Sequence, residues 1–269
     1  MNRGEISAFI SDIEDRNSKA LKKLSKFFSS SSLQKTICFT GPAGVGKSTL
    51  ISKLLPVSAE KSKIAWLACD PSSPQSGGSL LGDRIRISGK DISRNIFIRS
   101  MSTRGTSAFS QSIRDVEVYL ENLFDEVWVE TAGSGQTQSE VAEISALTVL
   151  ILQPETGDEI QWMKSGVREM ADLFIIHKSD LMGAESMEQS LIEMGATASS
   201  ILKVSSKSGE GLSEAAVWIR SALKKVDWKR RKTVLHTRLA ESLFFEREMQ
   251  KLKEDFSKKK LRLISRPYA

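Results

Sequence analysis

The run Gly41-Pro42-Ala43-Gly44-Val45-Gly46-Lys47-Ser48-Thr49 constrains this chain more than any other stretch. It fits G-x-x-x-x-G-K-[ST] and follows the apolar run Ile37-Cys38-Phe39, the entering strand that a phosphate loop requires. Three parts of one phosphate chain must be met at once. The backbone of Gly41, Gly44, Val45 and Gly46 can curl its N–H groups round a β-phosphate, Lys47 reaches the β- and γ-oxygens, and the Ser48 hydroxyl ligates Mg²⁺. A helix starting near Thr49 adds the positive end of its dipole. The reading is a nucleoside-triphosphate binder.

A chain of 269 residues can bury one large core, and α/β sheets of this size commonly stay single. One domain with appendages is expected. No apolar run comes near the ~18 residues of a spanning helix, and Met1 to Asn17 lacks a charged-then-apolar leader pattern. A cytoplasmic protein with no membrane association follows as the expectation. Cys38 and Cys69 each sit inside an apolar run with no second thiol or histidine at metal spacing, so they read as buried core thiols. His177 and His236 are far apart in sequence and suggest no transition-metal site by themselves.

The net charge of +6 is unevenly placed. Arg220 to Ala269 holds 16 Lys and Arg against 6 Asp and Glu, leaving 23 against 27 for residues 1–219. A mildly acidic body therefore carries a basic tail. Basic tails often meet nucleic acid, but Leu235, Leu239, Leu243, Phe244 and Met249 recur among the charges at near-helical spacing. An amphipathic helix packing on the body or on a second subunit accounts for both features, and nucleic-acid binding is not expected.

Along the chain, Ile6, Phe9, Ile10, Ile13, Leu21, Leu24 and Phe27 keep a helical period until Ser29 to Ser32 break it. That predicts a leading helix or two and a flexible joint. Strand-like runs then alternate with helical stretches: Ile37 to Thr40, Ile64 to Cys69, Ile96 to Ile98, Val127 to Glu130, Thr148 to Leu152, Leu173 to His177 and Ile201 to Val204. The alternation predicts an α/β fold, a three-layer arrangement with a largely parallel central sheet flanked by helices. The expected divisions are an N-terminal helical extension over 1–32, the nucleotide-binding domain over 33–226 and a basic amphipathic extension over 227–269.

Ligands on such sheets sit at the carboxyl ends of the strands, and the informative residues fall there. Glu130-Thr131-Ala132-Gly133 stands where an acidic residue for Mg²⁺ precedes a glycine able to sense the γ-phosphate. Gln136 is a candidate for orienting the attacking water, or a plain loop residue. Asp70, opening Asp70-Pro71-Ser72-Ser73, and Asp83, after a Gly77-Gly78 hinge, can ligate Mg²⁺ through its waters or serve as turn and cap. His177-Lys178-Ser179-Asp180 resembles the N-K-x-D element, whose aspartate accepts from guanine N1–H and the 2-amino group. Adenine lacks both donors on that edge, so Asp180 points to GTP and GDP. His177 in place of asparagine alters a contact that usually ties this loop to the phosphate loop. Ser205, Ser206 and Lys207, followed by Gly209-Glu210-Gly211, fit the loop that closes over the base.

Together GPAGVGKST, DPSSPQSGGSLLGDRIRI, ETAGSGQTQSE and QPETGDEIQWMKSG, the last spanning Gln153 to Gly166, resemble the MeaB/ArgK-type GTPases over roughly Thr36 to Asp180. The resemblance implies a homodimeric GTPase that gates cofactor loading and protection of an adenosylcobalamin-dependent acyl-CoA mutase. By motif match Lys47, Asp70, Glu130, Gly133 and Gln136 take catalytic roles, and Ser48, Asp70, Asp83 and Glu130 surround Mg²⁺. A third switch covers Gln153 to Lys164, with Asp158 and Lys164 as its charged positions. The chain departs from the family at His177, at Ala132 to Gln136 and at Gln153 to Gly157. Three rivals remain: a nickel-enzyme maturation GTPase, which needs a Cys/His-rich element the sequence does not show, a kinase linked to amino-acid transport, which needs an acceptor site, and a GTP-dependent scaffold with negligible hydrolysis.

Overall fold

Short apolar and β-branched runs form seven strands in chain order: β1 Thr36–Thr40, β2 Ile64–Pro71, β3 Ile96–Thr103, β4 Glu126–Glu130, β5 Leu147–Leu152, β6 Leu173–His177 and β7 Ile201–Val204. The helices among them are α1 Arg3–Glu14, α2 Ser18–Ser30, α3 Lys47–Ala59, α4 Gln111–Glu121, α5 Ala184–Glu193 and α6 Leu212–Leu223. These elements come from a computed structural model that describes residues 2–30, 35–71, 94–103, 111–131, 145–154 and 171–225. Met1–Val226 forms one compact unit and Asp227–Ala269 a second, and every described residue lies in the first.

The strands make one sheet in the order β3-β2-β4-β1-β5-β6-β7, every described pair parallel. Side chains alternate across it, so register decides which face each strand serves. Phe39 is level with Glu130 on one side and Val149 on the other, which puts Ile37, Phe39, Trp128, Val149 and Ile151 on the face covered by α3 and α6. The opposite face packs Leu150, Leu152, Phe174 and Ile176 against Ala184, Met187 and Leu191 of α5. This is a three-layer α/β fold, as the alternation of elements predicts.

Two strands run further than their apolar runs suggest. β2 and β3 pair over eight positions, from Ile64 with Ile96 to Pro71 with Thr103. β3 is an edge strand, so Arg99, Ser100, Ser102 and Thr103 can extend the ladder without an apolar requirement on both faces.

The leading helices fasten to α4 and β3. Asn2 caps α1, accepting from Glu5 N while Glu5 returns the bond to Asn2 N, each at 2.9 Å. Phe9 and Phe27 pack on Tyr119 with ring centroids 4.6 and 5.4 Å away. Arg16 reaches Asp115 at 2.7 Å, Arg99 reaches Glu14 at 2.6 Å, and an Arg3 N–H donates to the Ile96 carbonyl at 2.8 Å. Of the joint expected over Ser29–Ser32, Ser29 and Ser30 instead continue α2, and the other two residues lie outside the described part. Cys38 and Cys69 are buried thiols. Burial, reinforced by Glu117, pushes the Cys38 thiol well up and keeps it protonated. Among the described residues no helix is long and apolar enough to cross a membrane.

Candidate nucleotide-binding site

At the carboxyl end of β1 the chain turns through Gly41 to Gly46 and enters α3 at Lys47, two residues before the start expected near Thr49. Two of its glycines are dictated by close approach. A Cβ on Gly41 would lie 2.1 Å from the Ile151 carbonyl oxygen, and one on Gly46, at φ +90°, 2.8 Å from His177 Cε1. Lys47 is buried, and its ammonium donates to the carbonyls of Gly41 at 3.0 Å and Pro42 at 2.8 Å. The Ser48 hydroxyl donates to Glu130 Oε1 at 2.5 Å. Glu130 ends β4, buried and level with Phe39 of β1, so strand register delivers its carboxylate to the phosphate loop. Behind it the Thr131 hydroxyl bonds Thr40 at 3.1 Å and Thr131 N bonds Phe39 O at 3.0 Å.

A second half of the site comes from the loops after β6 and β7. The Ser205 hydroxyl donates to Asp180 Oδ1 at 2.6 Å and accepts from the backbone N–H groups of Lys207 and Ser208, each at 3.3 Å. That hydroxyl, with the ammonium of Lys207 3.9 Å away as a smaller influence, holds the Asp180 carboxyl below the usual carboxylate range. A permanently ionised acceptor is what guanine N1–H and its 2-amino group require. Lys178, in the left-handed region at φ +57°, donates from Nζ to Gln153 Oε1 at 2.6 Å.

His177 joins the two halves. It is buried at the end of β6, with Nδ1 2.8 Å from the Val45 carbonyl and Nε2 2.8 Å from the Ser206 hydroxyl. Since a carbonyl accepts only, Nδ1 carries the proton and the neutral ring accepts from Ser206. Burial lowers the ring's pKa from 6.5, with the Val45 carbonyl and Asp180 pulling it up and Lys178 pulling it down. The sequence suggested that replacing asparagine alters the tie to the phosphate loop. The structure shows what takes its place: the imidazole ties this loop to the phosphate loop through Val45 and adds a bond to the loop after β7. A cavity of about 400 Å³ opens beside it, lined by Gly46, Thr49, His177, Lys178, Asp180, Leu181, Ser206 and Lys207. That is room for a nucleobase and ribose.

The expected residues Lys47, Ser48 and Glu130 therefore meet at one strand end, and His177, Lys178, Asp180, Ser206 and Lys207 line the neighbouring cavity, with Ser205 buried and bonded to Asp180. Asp70 lies in β2, but its side chain is outside the described part. Asp83, Gly133, Gln136, Asp158 and Lys164 also lie outside the described residues. Sequence reasoning missed the Val45 carbonyl as an acceptor and Gln153 as the partner of Lys178. Gln153 follows directly on β5, so the rule that ligands gather at strand ends could have singled it out.

The family model for the methylmalonyl Co-A mutase-associated GTPase MeaB matches residues 6–259. The chain belongs to that family. A GTPase-type protein of Pyrococcus horikoshii is 36% identical over 187 residues, 68% of this chain and 59% of the relative. The mouse methylmalonic aciduria type A homolog, a mitochondrial protein, is 35% identical over 189 residues, 65% of this chain and 46% of the relative. The matched region thus spans roughly half to three fifths of these relatives' length. Among solved structures, a LAO/AO transport system kinase superposes with a TM-score of 0.67 at 22% identity, covering 95% of this chain and 82% of that one. The nickel-bound HypB of Helicobacter pylori gives 0.54 at 15% identity, with coverage of 82% and 96%. Identities this low speak for the shared fold alone.

Proposed function

We propose that this MeaB-family protein hydrolyses GTP to GDP and phosphate and uses the cycle to gate cofactor loading and protection of an adenosylcobalamin-dependent acyl-CoA mutase. The observation that carries the reading is the side-by-side placement of a phosphate loop and a guanine-type reader, bridged by His177. Lys47 and the loop's backbone N–H groups would neutralise charge on the transferred phosphoryl, while Lys178 and Asp180 hold the base and keep the reacting end in register. Such catalysis is mostly positioning and electrostatics, which suits a slow enzyme accelerated by its client.

The Ser48 hydroxyl and Glu130 carboxylate form a pair of hard oxygen donors 2.5 Å apart, a fit for Mg²⁺ held directly or through its waters. When bound, the ion supplies positive charge to the β- and γ-oxygens. We assign Asp70 and Asp83 to the same metal side, Gly133 to γ-phosphate sensing and Gln136 to orienting water. Asp158 and Lys164 are assigned to the switch that meets the mutase. The reading further takes the protein as a cytoplasmic homodimer divided at 32/33 and 226/227, engaging neither nucleic acid nor membrane.

Two measurements test it. Calorimetry with GDP, GTP and ATP at neutral pH should show the guanine nucleotides binding and ATP not. Phosphate release should rise when an acyl-CoA mutase of this cofactor class is added. Binding without any hydrolysis, client present or absent, would leave a scaffold in place of an enzyme.

A further inference from the structure

His177 touches partners 132 and 29 residues away in sequence, Val45 and Ser206, and does so with both ring nitrogens. An ionisable group thus ties two loops together, its Nδ1 held to a carbonyl that only accepts and its Nε2 to a hydroxyl that can serve either protonation state. The ring is 2% exposed, sits over the bare Cα of Gly46 and still forms part of the cavity wall. Its charged neighbours are few. Lys178 and Asp180 come from its own loop, and Lys207 on the β7–α6 loop lines the same cavity. From the phosphate loop, Lys47 has its ammonium tied to the Gly41 and Pro42 carbonyls, and Gln153 at the exit of β5 is neutral. Asp180 is the acidic member of this set.

A guanine base in the cavity changes two of these conditions. It takes the place of the water in the cavity whose wall the buried ring helps to form, and it engages the Asp180 carboxylate, weakening that group's support for an imidazolium. The ligand's phosphates act the other way, but Lys47 and the loop's N–H groups meet their charge. We propose that a proton on His177 and a guanine nucleotide in the adjoining cavity compete, so that the histidine loosens the grip on nucleotide in mildly acidic medium. The proton passes to solvent as the nucleotide binds. This rests on the guanine-site reading above and adds its regulation.

The chain has two histidines, so the His236→Gln protein leaves His177 as the single ring for ¹⁵N-imidazole NMR. At pH 7.5 the ring should be neutral with its proton on Nδ1. GDP should lower the titration midpoint by about one pH unit, equivalent to about a tenfold loss of GDP affinity once both midpoints are passed. Calorimetry near pH 6 in two buffers of different ionisation enthalpy should register more proton release in the parent than in His177→Asn, whose amide can donate to Val45 without titrating. What remains in that variant, in proton release and in the pH dependence of GDP binding, comes from the nucleotide's own terminal phosphate, which ionises near pH 6. A midpoint unmoved or raised by GDP, equal proton release in the two proteins, or an unchanged slope in His177→Asn overturns the proposal while GDP still binds. Failure of the unsubstituted protein to bind GDP at pH 7.5 is a distinct result, and removes the guanine-site reading together with this one.

Discussion

The phosphate half and the base half of the site are built on different principles. Around Gly41 to Ser48 the ligand-facing groups are mainly backbone, and two glycines are fixed by contacts at 2.1 and 2.8 Å that no side chain could share. Around Asp180 they are side chains, drawn from loops 25 residues apart and ordered by hydrogen bonds to one another. Backbone recognition tolerates any base attached to the phosphates. Side-chain recognition discriminates, and depends on protonation.

The largest expected effect comes from removing the one side chain central to the phosphate half. Lys47→Ala should weaken GDP by about 100-fold or more, near 3 kcal/mol, since a charge-assisted contact to phosphate is lost. Calorimetry checks it, and ordinary affinity would break the phosphate-half assignment.

Gly46→Ala should come next, because it strains a left-handed residue and drives a methyl into the imidazole. A cost of about 2 kcal/mol should appear in both halves at once, as weaker GDP binding and a thermal midpoint lower by several degrees. An effect on binding with no effect on melting would show the halves to be uncoupled.

Asp180→Asn should lower GDP affinity about tenfold and shift preference toward xanthosine diphosphate, whose 2-oxo group accepts from the new amide. Competition between the two nucleotides reads this directly. Equal weakening of every nucleotide would mean that the residue serves the fold and not the base.

Ser205→Ala sharpens the same contrast more gently. Losing that hydroxyl lets the Asp180 carboxyl return toward its ordinary range, so GDP affinity should fall earlier on acidification than in the parent, by up to about twofold near pH 4. Identical pH profiles would detach Ser205 from base reading.

The smallest effect concerns stability. The folded-state pKa of His177 lies below its ordinary 6.5, so the unfolded chain binds the proton first. The resulting stability is present above about pH 6.5 and is lost as pH falls through the folded value. Thermal melts from pH 7.5 to 5 should show that loss in the parent and a flatter profile in His177→Asn.

The phosphate loop was legible because spacing, glycine content and an entering strand are all local properties of the chain. Strand runs such as Leu173 to His177 and Ile201 to Val204 were legible to the residue, the first because a buried parallel strand is apolar almost throughout, the second because Ile201, Leu202 and Val204 bracket a single exposed lysine. β3 was cut short in the sequence reading because an edge strand does not need the apolar run that marks a central one. At His177 the sequence pointed to an altered contact and no further, because it shows an absent amide and says nothing of where a longer ring would reach.

By itself the sequence determined the glycine-rich turn between β1 and α3, the parallel three-layer architecture and Asp180 as the candidate base acceptor. Each of these follows from near neighbours or from a repeating pattern. Only the tertiary structure decided that Glu130 faces Ser48, that Lys178 leans on Gln153 and that one imidazole spans Val45 and Ser206. Those pairings depend on strand order and register, which bring distant residues together through the free energy of the whole fold and leave no mark in local spacing.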